Sequence, residues 1–182
     1  LLKNQWTLNT LTTRRVFFQL RVRQAARQVI CSVLSLIVGR ATRGLEPQAR
    51  LRRTLLTLRR FPYWISGHLQ VAKLQLDLGS VRAGYSAATL VLASEIATPA
   101  ERQAAYSLLG RSLLAAGRPA EALSAFGYPG PQLQDQDLED IAAALMALQR
   151  HAEAKELLLK IRGEDLSQPG RAALEFLRTR VE

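Results

Sequence analysis

Cysteine is almost absent from this chain: Cys31 is the only one in 182 residues. An intrachain disulfide and any multi-cysteine metal site are excluded. Cys31 lies in the apolar run 29–38 and reads as a small buried hydrophobe rather than a reactive thiol. Histidine is nearly as scarce: His68 and His151 stand far apart, so neither a zinc site nor a histidine-dependent triad is expected. No P-loop, GxGxxG, GxSxG or HExxH pattern occurs, and no cofactor is expected. Aromatics make up only 6%, while alanine and leucine dominate, a balance that favours helix over sheet. Long apolar runs are also missing. The uncharged stretch 28–39 is far shorter than the ~20 residues of a bilayer span.

Acidic residues are missing from the first third. Residues 1–60 hold 13 Lys/Arg and a single acid, Glu46, whereas residues 61–182 hold 12 Lys/Arg and 14 acids. The net charge of +10 therefore resides in the first third, and the remainder is slightly acidic. Of the 25 basic residues 21 are arginine, a bias that a GC-rich bacterial genome produces without selection.

The basic third reads as two helices. One spans 13–39, with Thr12 or Thr13 as its cap and Gly39 as its stop. The other spans 47–61, opened by Pro47, ended by Pro62, and carrying Leu51, Leu55 and Leu58 on one face. Arg14, Arg15, Arg21, Arg23, Arg27, Arg52, Arg53, Arg59 and Arg60 form a candidate basic surface. Three readings stay open for it. The helices pack on the rest of the chain and the arginines are a solvated face; or the segment lies on an anionic membrane surface; or, less favoured, it binds nucleic acid, with Trp6, Phe17 and Phe18 for stacking.

Beyond residue 61 the chain echoes itself. Gly117-Arg118-Pro119-Ala120-Glu121-Ala122 and Gln149-Arg150-His151-Ala152-Glu153-Ala154 match at Arg, Ala, Glu and Ala. Gly79-Ser80-Val81-Arg82-Ala83-Gly84 is a weaker third member. Each follows and precedes a helical apolar pattern, at spacings near the ~34 residues of a helix–turn–helix repeat.

These residues resemble the tetratricopeptide repeat. Tyr106, Leu109-Gly110, Leu113, Gly117, Ala122 and Phe126 match its pattern best. Leu138, Ile141-Ala142, Leu145, Ala154 and Leu158 form a second fair match. His68, Val71-Ala72, Gly79, Gly84 and Ala88 form a third that departs at the aromatic and at the first alanine of the second helix. The resemblance covers about residues 65–161. It implies an all-α fold: a right-handed α-solenoid of about three helical hairpins, with a basic N-terminal helical region at 1–61, a repeat domain at 62–182 and a capping helix at 170–182. In that helix Ala173, Leu174 and Leu177 point inward. Small residues at Ala72, Gly110 and Ala142 are expected to let paired helices approach, and stacked neighbours to bury what one hairpin cannot. The segment 127–135, with two prolines and two glycines, reads as a loop.

The family binds extended peptides or helices on a concave face lined by the first helix of each hairpin. The resemblance puts Leu69, Lys73, Leu76, Ser107, Arg111, Leu114, Glu139, Ala143 and Met146 on that face. Some relatives clamp a terminal carboxylate with a basic pair and an asparagine. Lys73 and Arg111 supply the pair, but Gln70 and Leu108 stand where the asparagine belongs, so no clamp is expected. The acidic run Asp135, Asp137, Glu139, Asp140 lacks the glycine and glutamate of a calcium loop and reads as helix-dipole stabilisation. The expectation is a non-catalytic scaffold for another protein, cytoplasmic at the inner face of a bacterial membrane, of the secretion, pilus or exopolysaccharide type by analogy. Its alternatives are a lipid- or nucleic-acid-binding protein working through the arginine-rich third, and a regulatory fragment of a larger enzyme.

Overall fold

A computed structural model describes residues 25–26, 29–127, 137–161 and 166–180. Among these the chain is all-helical, with no strand. No described helix is long and apolar enough to cross a membrane. The chain divides into two compact units, Leu1–Gly67 and His68–Glu182. The expected division was at 61/62. The later boundary follows from Tyr63 and Trp64, which are tied to the first helix. The Cys31 thiol donates to the Tyr63 carbonyl at 3.6 Å, and the Trp64 indole N–H donates to Ser35 Oγ at 2.9 Å.

The first unit contains α1 (29–41) and α2 (Pro47–Arg60). Gly39 was expected to stop the first helix, yet α1 runs through it to residue 41. The left-handed residue that lets the chain turn is Gly44, at φ 78°. Between them Thr42 is buried, its hydroxyl donating to the Val38 carbonyl at 2.8 Å. Pro47 opens α2 as expected. The inward stripe differs from Leu51, Leu55 and Leu58: Thr54 and Leu58 are buried, and Leu55 is 40% exposed. Thr54 can be buried because its hydroxyl donates to the Arg50 carbonyl at 2.9 Å. Trp64 then fills the unit, and a Cβ on Gly67 would fall 2.2 Å from its ring.

The second unit contains α3 from His68 onward (the helix as a whole is Ile65–Asp77), α4 (Val81–Leu92), α5 (Pro99–Ala115), α6 (Pro119–Phe126), α7 (Leu138–Ala147), α8 (His151–Lys160) and α9 (Gln168–Arg180). From α4 to α9 each helix packs on its neighbours in sequence, and α5 also touches α7. The turns after α3, α5 and α7 close with one pattern. Gly79, Gly117 and Gln149 have φ of 76°, 73° and 61°. Their N–H groups donate to Leu76, Leu114 and Met146 at 2.9, 3.0 and 3.0 Å. The next N–H groups, of Ser80, Arg118 and Arg150, reach back to Gln75, Leu113 and Leu145 at 2.7, 2.9 and 2.9 Å. This six-to-one bond beside a left-handed residue is the Schellman closure, which satisfies carbonyls that a helix end leaves open.

Small residues sit where the helices approach. Ala72, Ala88, Ala122 and Ala154 are wholly buried. A Cβ on Gly110 would lie 2.6 Å from the Phe126 ring, and one on Gly84 would lie 2.8 Å from Leu76 Cγ. Around them a core joins Leu113, Phe126, Ile141, Leu145, Leu158 and Leu177. The last of these belongs to α9, whose inward Leu174 and Leu177 match the expected stripe. α5 starts with a reciprocal capping box: the Glu101 N–H donates to Thr98 Oγ1 at 3.2 Å, and the Thr98 N–H donates to Glu101 Oε2 at 2.9 Å.

Candidate partner-binding face

The residues expected to line a groove fall on α3, α5 and α7, and most border two cavities in the second unit. A cavity of about 350 Å³ is lined by Leu69, Gln70 and Lys73 from α3, by Ala104, Ser107, Leu108 and Arg111 from α5, and by Asp137 at the start of α7. A second, of about 390 Å³, is lined by α7 residues including Glu139, Asp140, Ala143 and Met146, by Leu158 of α8, and by Ser167, Pro169, Gly170 and Ala173 around the start of α9. Arg111 of the first cavity and Asp140 of the second are bridged at 2.8 Å.

Two of the expected residues border neither cavity. Leu76 packs towards Gly84 of α4, and Leu114 packs against the core. Both lie near the C-terminal ends of their helices, where the chain turns back.

Several charges of the face already have partners. Ser107 is buried and its hydroxyl donates to Asp137, which is only 3% exposed. Arg111, half exposed and bordering the same cavity as Lys73, is bridged to Asp140. Glu139 accepts from the Ser167 backbone N–H at 2.7 Å and from the Ser167 hydroxyl, so its carboxylate fastens the start of α9. The Ser167 hydroxyl in turn accepts from the Gly170 N–H at 3.1 Å. Lys73 stays exposed on the rim of the first cavity. The face thus offers one exposed ammonium, a neutralised Arg–Asp bridge, the buried Asp137 and apolar lining from Leu69, Ala104, Leu108, Ala142, Ala143 and Met146.

Burial raises the Asp137 carboxyl above the ordinary range; its Ser107 hydrogen bond opposes this, the Asp140 charge adds to it and Arg111 opposes it. Burial likewise raises Asp140, against the lowering pull of the Arg111 charge and hydrogen bond. The run that reads from sequence as dipole stabilisation is, at these two positions, a pair of partly desolvated acids. The rest of the loop, Asp135 included, lies outside the described residues. The Ser107–Asp137 and Glu139–Ser167 contacts join residues about thirty positions apart, so no local spacing announces them. Among the described residues no cluster of His, Cys, Asp and Glu could hold a metal ion.

Of the basic surface, Arg52, Arg53, Arg59 and Arg60 are exposed on α2, and Arg53 donates to the Ala41 carbonyl at 3.2 Å. Arg14, Arg15, Arg21, Arg23 and Arg27 lie outside the described residues. Comparisons of the chain with models of protein families, with characterised proteins and with solved structures find no match.

Proposed function

We propose that His68–Glu182 is a short stack of tetratricopeptide-like hairpins acting as a non-catalytic scaffold, which holds an extended peptide or helix of another protein along α3, α5 and α7. The observation that carries this reading is the two neighbouring cavities on those three helices, bordered by Leu69, Lys73, Ser107, Arg111, Ala143 and Met146. Three further features support it. The turns after α3, α5 and α7 repeat one backbone closure. Small buried residues precede and follow each turn at matching places. The α5–α7 contact is the one expected between the first helices of successive hairpins.

The chemistry of the face favours a ligand that is mainly apolar, with one acidic group for Lys73. Arg111 already has its carboxylate, so a strongly acidic peptide has little to pair with. The test is selection of peptides from a displayed library on the wild-type chain, followed by titration against Lys73→Glu and Ala143→Arg. Both positions are exposed and border the cavities, so the fold tolerates the changes. The expected result is at least about tenfold weaker binding for each, from a desolvated pair lost or a cavity filled. Selected peptides indifferent to both substitutions would sink the assignment.

A further inference from the structure

α1 has two opposite faces. Cys31, Ser35 and Val38 turn towards the body of the first unit, through the Tyr63 carbonyl, the Trp64 indole and the buried position of Val38. Val29, Ile30, Val33, Leu36 and Ile37 are 62, 51, 48, 57 and 56% exposed. At 100° per residue these five cover an arc of roughly 120°, a continuous aliphatic ridge open to solvent. Scattered surface leucines need no explanation, but five contiguous branched aliphatics on one helical face do.

The charge around the ridge restricts its occupant. Residues 29–60 contain seven arginines and one acid, Glu46. Among the described residues every ion pair lies in the second unit, and Arg40, Arg43, Arg52, Arg53, Arg59 and Arg60 are exposed, while Arg50 is half-buried. Arg40 continues the ridge one turn beyond Leu36, and Arg43 follows at once. A second copy would bring two such arginine sets together and repel itself. A partner helix would need a groove, whereas α1 offers a convex ridge. A fluid bilayer needs no matching shape, and anionic headgroups complement the arginines.

We infer that α1 lies in the plane of an anionic membrane surface. Val29, Ile30, Val33, Leu36 and Ile37 enter the boundary between headgroups and acyl chains, and Arg40 and Arg43 meet lipid phosphates. The ridge covers less than three turns, too short to span a bilayer but long enough to lie on one. Aliphatic burial and basic charge act together, as reversible peripheral attachment requires. This attachment does not depend on the groove: either can fail while the other stands.

The test is co-sedimentation of the full chain with vesicles of equimolar phosphatidylserine and phosphatidylcholine, and with vesicles of phosphatidylcholine alone. Wild type is expected on the mixed vesicles and to be much weaker on the neutral ones. Leu36→Ser with Ile37→Ser should weaken binding at least about tenfold with thermal stability unchanged, because both side chains are already in solvent. Arg40→Gln and Arg43→Gln should weaken it about fivefold each, with less effect at high salt. Equal binding of wild type to both vesicles would overturn the proposal, as would a serine double variant that binds like wild type. A wild-type dimer in solution that the serine variant dissociates would reassign the ridge to a second copy. A serine variant several degrees less stable, with vesicle binding intact, would show that the chain itself covers the ridge.

Discussion

The two units treat apolar side chains in opposite ways. Among the described residues, the unit ending at Gly67 buries four hydrophobic residues and exposes nine large ones, whereas the unit from His68 buries 24 and exposes five. Both units are rich in leucine, but alanine is concentrated in the second, with 22 in residues 68–182 against four in residues 1–67. In the second unit consecutive helices from α4 to α9 pack on one another, and small residues at Ala72, Gly110, Ala142 and Ala154 sit buried where helices approach. Among the described residues of the first unit, one face of α1 packs on Tyr63 and Trp64, and Val29, Ile30, Val33, Leu36 and Ile37 on the other are exposed. Burial in the second unit is therefore a matter of stability, and exposure in the first is a feature that stability does not explain.

A pair of truncations should break this comparison if it is wrong. Leu145 is wholly buried among α7, α8 and their neighbours, and Leu145→Ala should cost about 2–5 kcal/mol in chemical denaturation. Leu36→Ala, on the ridge of α1, should stay within about 0.5 kcal/mol of wild type. Similar losses at the two positions would mean that α1 is as covered as α7. Smaller effects come from the glycines that hold close contacts, one in each unit. Gly67→Ala forces a methyl into the Trp64 ring and Gly110→Ala forces one into Phe126. Each should cost about 1–3 kcal/mol by overpacking, net of the ~1 kcal/mol that alanine gains in a helix. A stabilising Gly67→Ala would show that the indole moves freely and that the first unit is loosely packed.

The expected fold was legible where a local rule carries it. Gly79 and Gly117 marked breaks between helical patterns, Pro47 announced a helix start, and the echo of Arg118–Ala122 in Arg150–Ala154 announced a third turn even though Gln149 stands in place of glycine. The helices of the second unit followed from alanine and leucine spacing. What stayed hidden depends on contacts remote in sequence. Leu55 and Thr54 exchange roles because Thr54 can satisfy its hydroxyl on its own helix, which hydrophobicity alone does not reveal. Leu76 and Leu114 have the spacing of groove residues, but the turning chain draws them towards the core. Glu139 looked like a surface acid until α9 brought Ser167 against it. The candidate face was thus legible in its helices, but not in which of its charges are already paired.

The third turn offers a finer test. Gln149 is the one described non-glycine residue with positive φ, at 61°. Its partners in the other two turns are glycines with the same hydrogen bonds. Gln149→Gly should therefore stabilise the chain by about 0.5–1 kcal/mol, and Gly117→Ala should destabilise it by about 1 kcal/mol, because only glycine adopts this region without a Cβ penalty. The two changes are read as opposite shifts in thermal midpoint. A destabilising Gln149→Gly would mean that the glutamine side chain contributes something the backbone pattern does not account for.

The smallest effect concerns acid, and it again separates the units. The only described carboxylate of the first unit is the exposed Glu46, while the second holds Asp137 and Asp140, both raised chiefly by burial. A carboxyl whose folded value is raised binds its proton more tightly in the folded state than in the unfolded chain. Folding is then favoured below the ordinary value of 3.8 and loses that contribution as pH rises towards the folded value. Above it the buried charge is a standing cost. Asp137→Asn removes the charge but keeps an oxygen to accept from Ser107. The variant should be slightly more stable than wild type at neutral pH, and the gap should close as the solution is acidified through the raised range. Leaving Asp140 in place keeps the bridge to Arg111, and removing the Asp137 charge also relieves its repulsion with Asp140. Denaturation midpoints across that pH range check the sign. A gap that widened on acidification would mean that Ser107 and Arg111 outweigh burial, and that the floor of the first cavity is an anionic site held by its hydrogen bonds, not a desolvated acid.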